Sequence, residues 1–123
     1  MAEPGTETLI GCFRDPLFGP CIMFGLGGIF VEVLSDVAVR KAPLSKDDAF
    51  DMIRSIKGYK LLEGIRGKKR SDTEALAEAL VQVSRFCWDY RDEIGELDIN
   101  PLVVYEEGKG AMALDALIVG NKS

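Results

Sequence analysis

The chain contains no histidine. That absence removes Ser–His and Cys–His nucleophile schemes, histidine-ligated zinc, and any phosphohistidine carried on these residues. Cysteine is scarce: Cys12, Cys21 and Cys87 are an odd three without CxxC spacing, so neither a disulfide frame nor a zinc cage is supported. Cys12 and Cys21 fall in apolar, strand-like runs and read as buried thiols of a reducing compartment. Basic charge is in deficit as well. A net charge of −5 leaves no positive field to exchange for phosphate counterions, which argues against broad nucleic-acid binding. The one cationic cluster, Arg66-Gly67-Lys68-Lys69-Arg70, precedes Ser71-Asp72 and reads as a solvated loop before a helix. No apolar run approaches bilayer-spanning length, and the N-terminal residues lack the basic-then-apolar pattern of a signal peptide. A cytoplasmic location is expected, with no membrane and no nucleic acid among the partners.

What is present is ordinary globular composition, 47% hydrophobic and 28% charged over 123 residues. That length suits one compact domain over residues 1–123 and is short for two. Thr6 to Phe13 and Cys21 to Phe24 read as strands joined through the turn-rich Asp15-Pro16-Leu17-Phe18-Gly19-Pro20. Val37 to Ala42 is a further strand candidate, closed by Pro43. A first helix is signalled by Ser45 and Asp48 in a capping arrangement, by Ala49, Met52, Ile53 and Ile56 at helical spacing, and by Gly58 as a C′ stop. A second is signalled by a Ser71–Glu74 capping box and a stripe of Leu76, Leu80, Val83, Cys87 and Tyr90, with Phe86 and Trp88 expected to pack in the core. Residues 59–67 suggest a helical turn leading into a loop. Strands, then helices, then strands predict an α+β domain with a mainly antiparallel sheet and two principal helices.

The last third of the chain carries the chemistry. Leu97, Ile99, Val103 and Tyr105 alternate with Asp98, Asn100, Leu102 and Val104, the period of a strand, and Ala111 to Val119 supplies a second. A four-residue loop, Glu106 to Lys109, sets Tyr105 against Gly110 and therefore Asn100 against Asp115. Directly opposed side chains stand with Cβ atoms about 5 Å apart, so an amide oxygen and a carboxylate can share one cation. Asp98 points to the same side of the strand as Asn100 and joins them directly or through an intervening water. Oxygen-only ligands suit Mg²⁺ or Mn²⁺ with nucleotide phosphates completing the shell. A solvated sheet face explains the same residues, and a one-residue slip of register turns Asp115 away.

A second feature is Gly25-Leu26-Gly27-Gly28, which lets backbone N–H groups approach an anion. It is neither a P-loop nor a dinucleotide fingerprint, and a tight loop between strands explains it equally. Arg66, set between glycines, is a candidate phosphate contact, and Glu32 reads as a surface carboxylate.

Taken in order, Asp15-Pro-Leu-Phe-Gly-Pro20, Phe24-Gly-Leu-Gly-Gly28 with Glu32, Ala42-Pro-Leu44, Leu61-Leu-Glu-Gly-Ile-Arg-Gly67, Glu96-Leu-Asp-Ile-Asn-Pro-Leu102 and Asp115 resemble the ATP-grasp domain of NDP-forming acyl-CoA synthetases, the acetate–CoA ligase (ADP-forming) group. Succinyl-CoA synthetase β subunits look like more distant relatives. The resemblance covers essentially the whole chain. It implies a reaction in which acyl-CoA, ADP and phosphate are converted reversibly into free acid, CoA and ATP, the phosphoryl group passing through an enzyme histidine. It implies ATP or ADP and Mg²⁺ (or Mn²⁺) as cofactors, with Asn100 and Asp115 at metal positions and Asp98 at the acidic position beside them. Gly25, Gly27, Gly28 and Arg66 would then belong to the nucleotide side.

The departures from that pattern are equally informative. The resemblance covers the later part of the family's ATP-grasp domain. The earlier part, with its nucleotide-contacting lysine, the phosphohistidine and the CoA-binding and ligase domains have no counterpart in these residues. The chain is therefore expected to be the metal-bearing lobe of an ADP-forming acyl-CoA synthetase, inactive alone and partnered by the remaining ATP-grasp segment and a CoA-ligase subunit or domains. The alternative is a non-catalytic, partner-binding module derived from such a lobe.

Overall fold

The computed structural model describes residues 5–27, 36–64 and 69–120. Six strands run β1 (Thr6–Asp15), β2 (Gly19–Leu26), β3 (Val37–Lys41), β4 (Ile94–Val104), β5 (Ala111–Ala113) and β6 (Ala116–Gly120). Between β3 and β4 come three helices, α1 (Lys46–Ser55), the short α2 (Tyr59–Glu63) and α3 (Thr73–Asp89). The strands form one antiparallel sheet in the order β3-β2-β1-β4, with β5 and β6 both pairing with β4. This is the α+β architecture the sequence predicts.

Both long helices cover one face of the sheet. Ile10 and Phe24 from the central strands meet Met52 and Ile53 of α1 and Leu76 and Leu80 of α3 in one buried cluster. Each such side chain contributes roughly 1.5–3 kcal/mol relative to exposure. This burial holds the layers together, whereas the exposed Lys46–Glu74 ion pair (2.9 Å) between the helices is screened by water. Ser84 is fully buried on the same side of α3, where its hydroxyl accepts from the Leu44 amide (2.9 Å) and donates to the Val81 carbonyl (2.8 Å). All three cysteines are buried and unbridged. Burial pushes the Cys21 thiol up, and a hydrogen bond with Cys12 followed by burial does the same to Cys87, leaving both protonated and unreactive.

Local signals account for most element boundaries. Asp15 closes the β1–β2 hairpin by accepting the amides of Leu17 (2.8 Å) and Phe18 (3.0 Å), and Gly19 supplies the positive φ of 76° that the turn needs. Ser45 caps α1 in a full capping box in which Asp48 takes the place usual for Glu or Gln. β2 runs on through Gly25 and Leu26, beyond the Phe24 limit expected from the sequence, because both still pair within the sheet.

Three expectations are corrected. Gly58 is not a left-handed helix stop; its φ is −74°, and it precedes α2. It is glycine because an added Cβ would strike Leu26 Cδ1 and press on Asp36, whose carboxylate accepts the Lys57 and Gly58 amides (2.6 and 2.7 Å). The N-cap of α3 is Asp72, not Ser71; Ser71 instead bridges to Glu106, and Glu74 pairs with Lys46. The buried stripe of α3 runs through Leu76, Ala77, Leu80, Ser84 and Cys87. Tyr90 caps the helix half-exposed, and Phe86 (41%) and Trp88 (37%) face solvent, Trp88 stacked under Arg91 at 4.2 Å.

Gly58→Ala is expected to destabilise the chain by about 1–3 kcal/mol through overpacking against Leu26, read as a fall in urea midpoint with unchanged slope. An unchanged midpoint would show that the Leu26 side chain yields freely. Acid sensitivity is a second expectation. The amide and hydroxyl of Ser45 hold the Asp48 carboxyl below its usual range, and the Ala75, Gly110 and Gly108 amides do so for Asp72. A depressed native pKa means that the unfolded chain binds these protons more tightly. The stabilisation is therefore complete above the unfolded value of about 3.9 and is lost as pH falls through the lower native values. Urea midpoints should drop on acidification below about pH 4, and less steeply for Asp48→Asn, whose amide does not titrate. Parallel curves for the two proteins would refute this.

Candidate functional site

The candidate metal residues lie on the outer half of the sheet, where β4 is held between β1 on one side and β5 and β6 on the other. Toward the edge the register runs Leu102↔Ala113, Ile99↔Ala116 and Asp98↔Leu117. Between these pairs the Asn100 amide donates to the Asp115 carbonyl (3.1 Å) and the Leu114 amide to the Pro101 carbonyl (3.0 Å). At the turn, the Tyr105 amide donates to the Gly110 carbonyl (2.9 Å). Asn100 therefore stands opposite Asp115, in the register the loop length predicts.

Toward β1 the ladder is irregular. Thr8 pairs with Leu102 and Ile10 with Ile99, so Asn100 and Pro101 together oppose Leu9. This is a β-bulge, with the Asn100–Pro101 peptide cis at its centre. Beside it the buried Thr8 hydroxyl donates to the Leu102 carbonyl (2.8 Å). The bulge corrects the unbroken alternation expected for this strand. Leu97 and Ile99 face the helices, and past the bulge it is Leu102 and Val104 that do so. The second strand is interrupted at the same level, with β5 ending at Ala113 and β6 starting at Ala116, so that Asp115 falls in the gap.

Asp98 and Asn100 consequently emerge on the face away from the helices. Asp98 lies across from Gly11, where an added Cβ would stand 4.0 Å from Asp98 Oδ1. Asp98 also lines a shallow cleft of about 370 Å³ with Gly11, Met23, Glu96, Leu117 and Val119. Asn100 and Asp115 are not among the described residues lining that cleft. Asp98, Asn100 and Asp115 are all exposed. Among the described residues neither Asp98 nor Asp115 has an ion-pair partner, and no group of three Asp, Glu, Cys or His side chains is gathered as for a metal. Two carboxylates and one amide oxygen are too few for a dedicated cage. They fit an ion that keeps most of its water and shares phosphate oxygens.

The glycine segment is placed only in part. Gly25 lies within β2, and the Gly27 amide donates to the Glu7 carbonyl (2.8 Å), so that N–H is committed inside the protein. Gly28, Glu32 and Arg66 lie outside the described residues. The sequence reading missed Asp72, whose carboxylate accepts the Ala75 amide (3.0 Å) and also the Gly108 and Gly110 amides (3.2 and 2.8 Å) at the turn of the candidate hairpin. The signal available was weak, since Ser71 and Asp72 are equally good caps by type. No described helix is long and apolar enough to cross a membrane.

Comparison with known proteins agrees with this architecture. The ATP-grasp domain profile matches residues 1–119. The β subunit of acetate–CoA ligase (ADP-forming) II from Pyrococcus furiosus is 49% identical over 119 residues, 97% of this chain and 50% of that subunit. A crystal structure of a Pyrococcus horikoshii protein superposes with a TM-score of 0.94 at 44% identity, covering 100% of this chain and 52% of that one. The dinucleotide-forming acetyl-CoA synthetase 1 of Candidatus Korarchaeum cryptofilum, solved with coenzyme A and Mg-AMPPCP, superposes with a TM-score of 0.90 at 47% identity, covering 98% and 55% of the two chains. The chain thus spans about half the length of the curated β subunits it matches. It belongs to the ATP-grasp family and is homologous to the ATP-grasp β-subunit region of ADP-forming acyl-CoA synthetases.

Proposed function

We propose that this chain is the Mg²⁺- and nucleotide-binding lobe of an ADP-forming acyl-CoA synthetase, which interconverts acyl-CoA, ADP and phosphate with free acid, CoA and ATP. The observation that carries the reading is the opposition of Asn100 and Asp115 across the bulged hairpin, with Asp98 on the same side of β4. The Korarchaeum relative, solved with Mg-AMPPCP, lends the reading its nucleotide.

In this reading Asn100 and Asp115 hold the ion through their side-chain oxygens, and Asp98 joins them directly or through water. The chemistry a divalent ion supplies there is neutralisation of the negative charge on the nucleotide phosphates during in-line transfer. The rest is done by the chain itself. Gly11, lacking a Cβ, leaves the space beside Asp98 open. Met23, Leu117 and Val119 give the adjoining cleft apolar walls. The bulge keeps Leu102 and Val104 in the core while the oxygens face out.

The lobe is not active by itself. It has no histidine to carry a phosphoryl group, and it spans half of its β-subunit relatives. The partners are the remaining ATP-grasp segment and a CoA-binding ligase subunit or domains. Leu117 and Ile118 on β6 stay exposed at the sheet edge, as suits a surface that such a segment covers.

Calorimetric titration should show Mg·ADP binding only weakly to the chain alone, and tight binding restored once the other half of the Pyrococcus furiosus β subunit is added. Tight binding by the lone chain would overturn the division of labour. In the ligase assembled with all its subunits, Asn100→Ala and Asp115→Asn should lower phosphoryl transfer by more than the roughly 10- to 100-fold typical of a residue that only supports a ligand, with an unchanged circular-dichroism spectrum. Turnover unaffected at limiting Mg²⁺ would remove both residues from the metal site.

A further inference from the structure

The candidate pair depends on register, and the strand that carries Asp115 does little to fix it. Met112 (55%), Leu114 (58%), Leu117 (62%) and Ile118 (53%) are all exposed, so slipping this strand along β4 would change little apolar burial. Register is weakly specified where neither face of a strand is buried, and in a hairpin it is then set by the turn. A slip of one residue would rotate Asp115 to the opposite face of the sheet.

The turn itself is tied to the protein from outside. Within it the Lys109 amide donates to the Glu106 carbonyl (2.9 Å), and Gly108 and Gly110 take φ values of 88° and 81°. Those dihedrals aim both glycine amides at one oxygen, Asp72 Oδ2, at 3.2 and 2.8 Å. The other oxygen, Oδ1, caps α3 by accepting the Ala75 amide (3.0 Å), and the Asp72 amide donates to the Tyr105 carbonyl (2.8 Å). Next to this, the Glu107 amide donates to the Arg70 carbonyl (2.7 Å). Asp72 is 8% exposed and is held by the first turn of a 17-residue helix whose Leu76 and Leu80 are fully buried.

We propose that Asp72 is a positioning residue for the candidate metal pair: its carboxylate, anchored on α3, locks the hairpin turn in the register that sets Asn100 against Asp115. The inference rests on the metal reading given above. It assigns Asp72 two separable tasks, capping a helix with one oxygen and holding two glycine amides with the other.

The two tasks are separated by substitution. Ser and Asn cap a helix about as well as Asp, yet neither offers a second acceptor oxygen to Gly108 and Gly110. Asp72→Ala loses both tasks. The probe is Mn²⁺ alone, titrated into the isotope-labelled full chain, with amide exchange, the cross-strand contact between Asn100 and Asp115, and paramagnetic broadening all read by NMR. In Asp72→Ser and Asp72→Asn, protection at Leu76 to Leu80 should match the parent. Exchange at Tyr105 and Gly110 should quicken, the Asn100–Asp115 contact should weaken, and the Mn²⁺ midpoint at Asp98, Asn100 and Asp115 should rise about tenfold, as for a residue supporting a ligand. A mere cap would order the variants by capping strength, with only Asp72→Ala affected.

Unchanged Mn²⁺ midpoints in Asp72→Ser and Asp72→Asn would overturn the positioning role while leaving the metal reading in place. Loss of the fold in both would assign Asp72 to global stability and overturn the role as well. Absence of Mn²⁺ broadening at the three residues in the parent chain is a different result: it would overturn the metal reading, and with it the object of the lock.

Discussion

One extra residue in β4 decides which side chains this sheet buries. Had the strand kept period two from Leu97 onward, Leu102 and Val104 would share a face with Asp98 and Asn100. The protein would then have either exposed two aliphatic residues or buried two polar ones. Burying an ionised carboxylate without a partner is far more costly than exposing a leucine, so the alternating pattern alone offers no good solution. Placing Asn100 and Pro101 together opposite Leu9 resolves the conflict. Hydrophobic residues on both sides of the bulge reach α3, and the oxygen-bearing residues before it emerge on the open face. The Thr8 hydroxyl completes the arrangement by donating to the Leu102 carbonyl next to the irregularity.

The sheet that results is unequal across its width. Its centre is gripped from both edges and from one face, since β1 pairs on either side and carries Ile10 into the core. Its outer margin, β5 and β6, is held chiefly through main-chain bonds to β4. The candidate site straddles this gradient. Asn100 belongs to β4, paired on both sides, and Asp115 to the gap between β5 and β6, so their relationship depends on whatever fixes the margin. Two carboxyl oxygens of Asp72 link that margin to α3 through the hairpin turn, which connects helix packing to side-chain geometry at the other end of the hairpin. An exposed apolar edge of this kind invites pairing with another chain, consistent with a lobe that works beside further polypeptide.

Much of this organisation is legible in the sequence, for identifiable reasons. The opposition of Asn100 and Asp115 follows from a turn of fixed length between two runs of strand-like residues. The antiparallel order of the first strands follows from the Asp-Pro and Gly-Pro signals of their turn. The bulge is hidden because Leu102 and Val103 are both apolar, so the pattern reads equally well with or without an extra residue; only the Asn-Pro pair hints at it. The cap of α3 is hidden because Ser71 and Asp72 are both competent, and Asp72 alone also accepts glycine amides 36 and 38 positions away. Phe86 and Trp88 mislead because hydrophobicity marks a face without saying whether it is covered. Ser84 occupies the buried side instead, where it satisfies the amide of Leu44.

If Asp98, Asn100 and Asp115 hold an ion as proposed, the smallness of that set makes geometry matter more than affinity. Asp98 and Asp115 are exposed, and attraction between unit charges in water is only about 1 kcal/mol at 4 Å. Two such carboxylates and an amide oxygen would therefore hold the proposed Mg²⁺ only weakly, a set that suits an ion bound largely through water. On the proposed reading, phosphate oxygens would supply the remaining attraction, so that ion and nucleotide would strengthen each other at the open face. In such a site the protein's contribution is to place the few oxygens where a phosphate-bound ion will find them. Small errors in strand register would then remove the proposed site altogether, because a one-residue slip moves a carboxylate to the wrong side of the sheet. On that reading, a bulge that directs Asn100 outward and a carboxylate that holds the turn are two parts of one requirement.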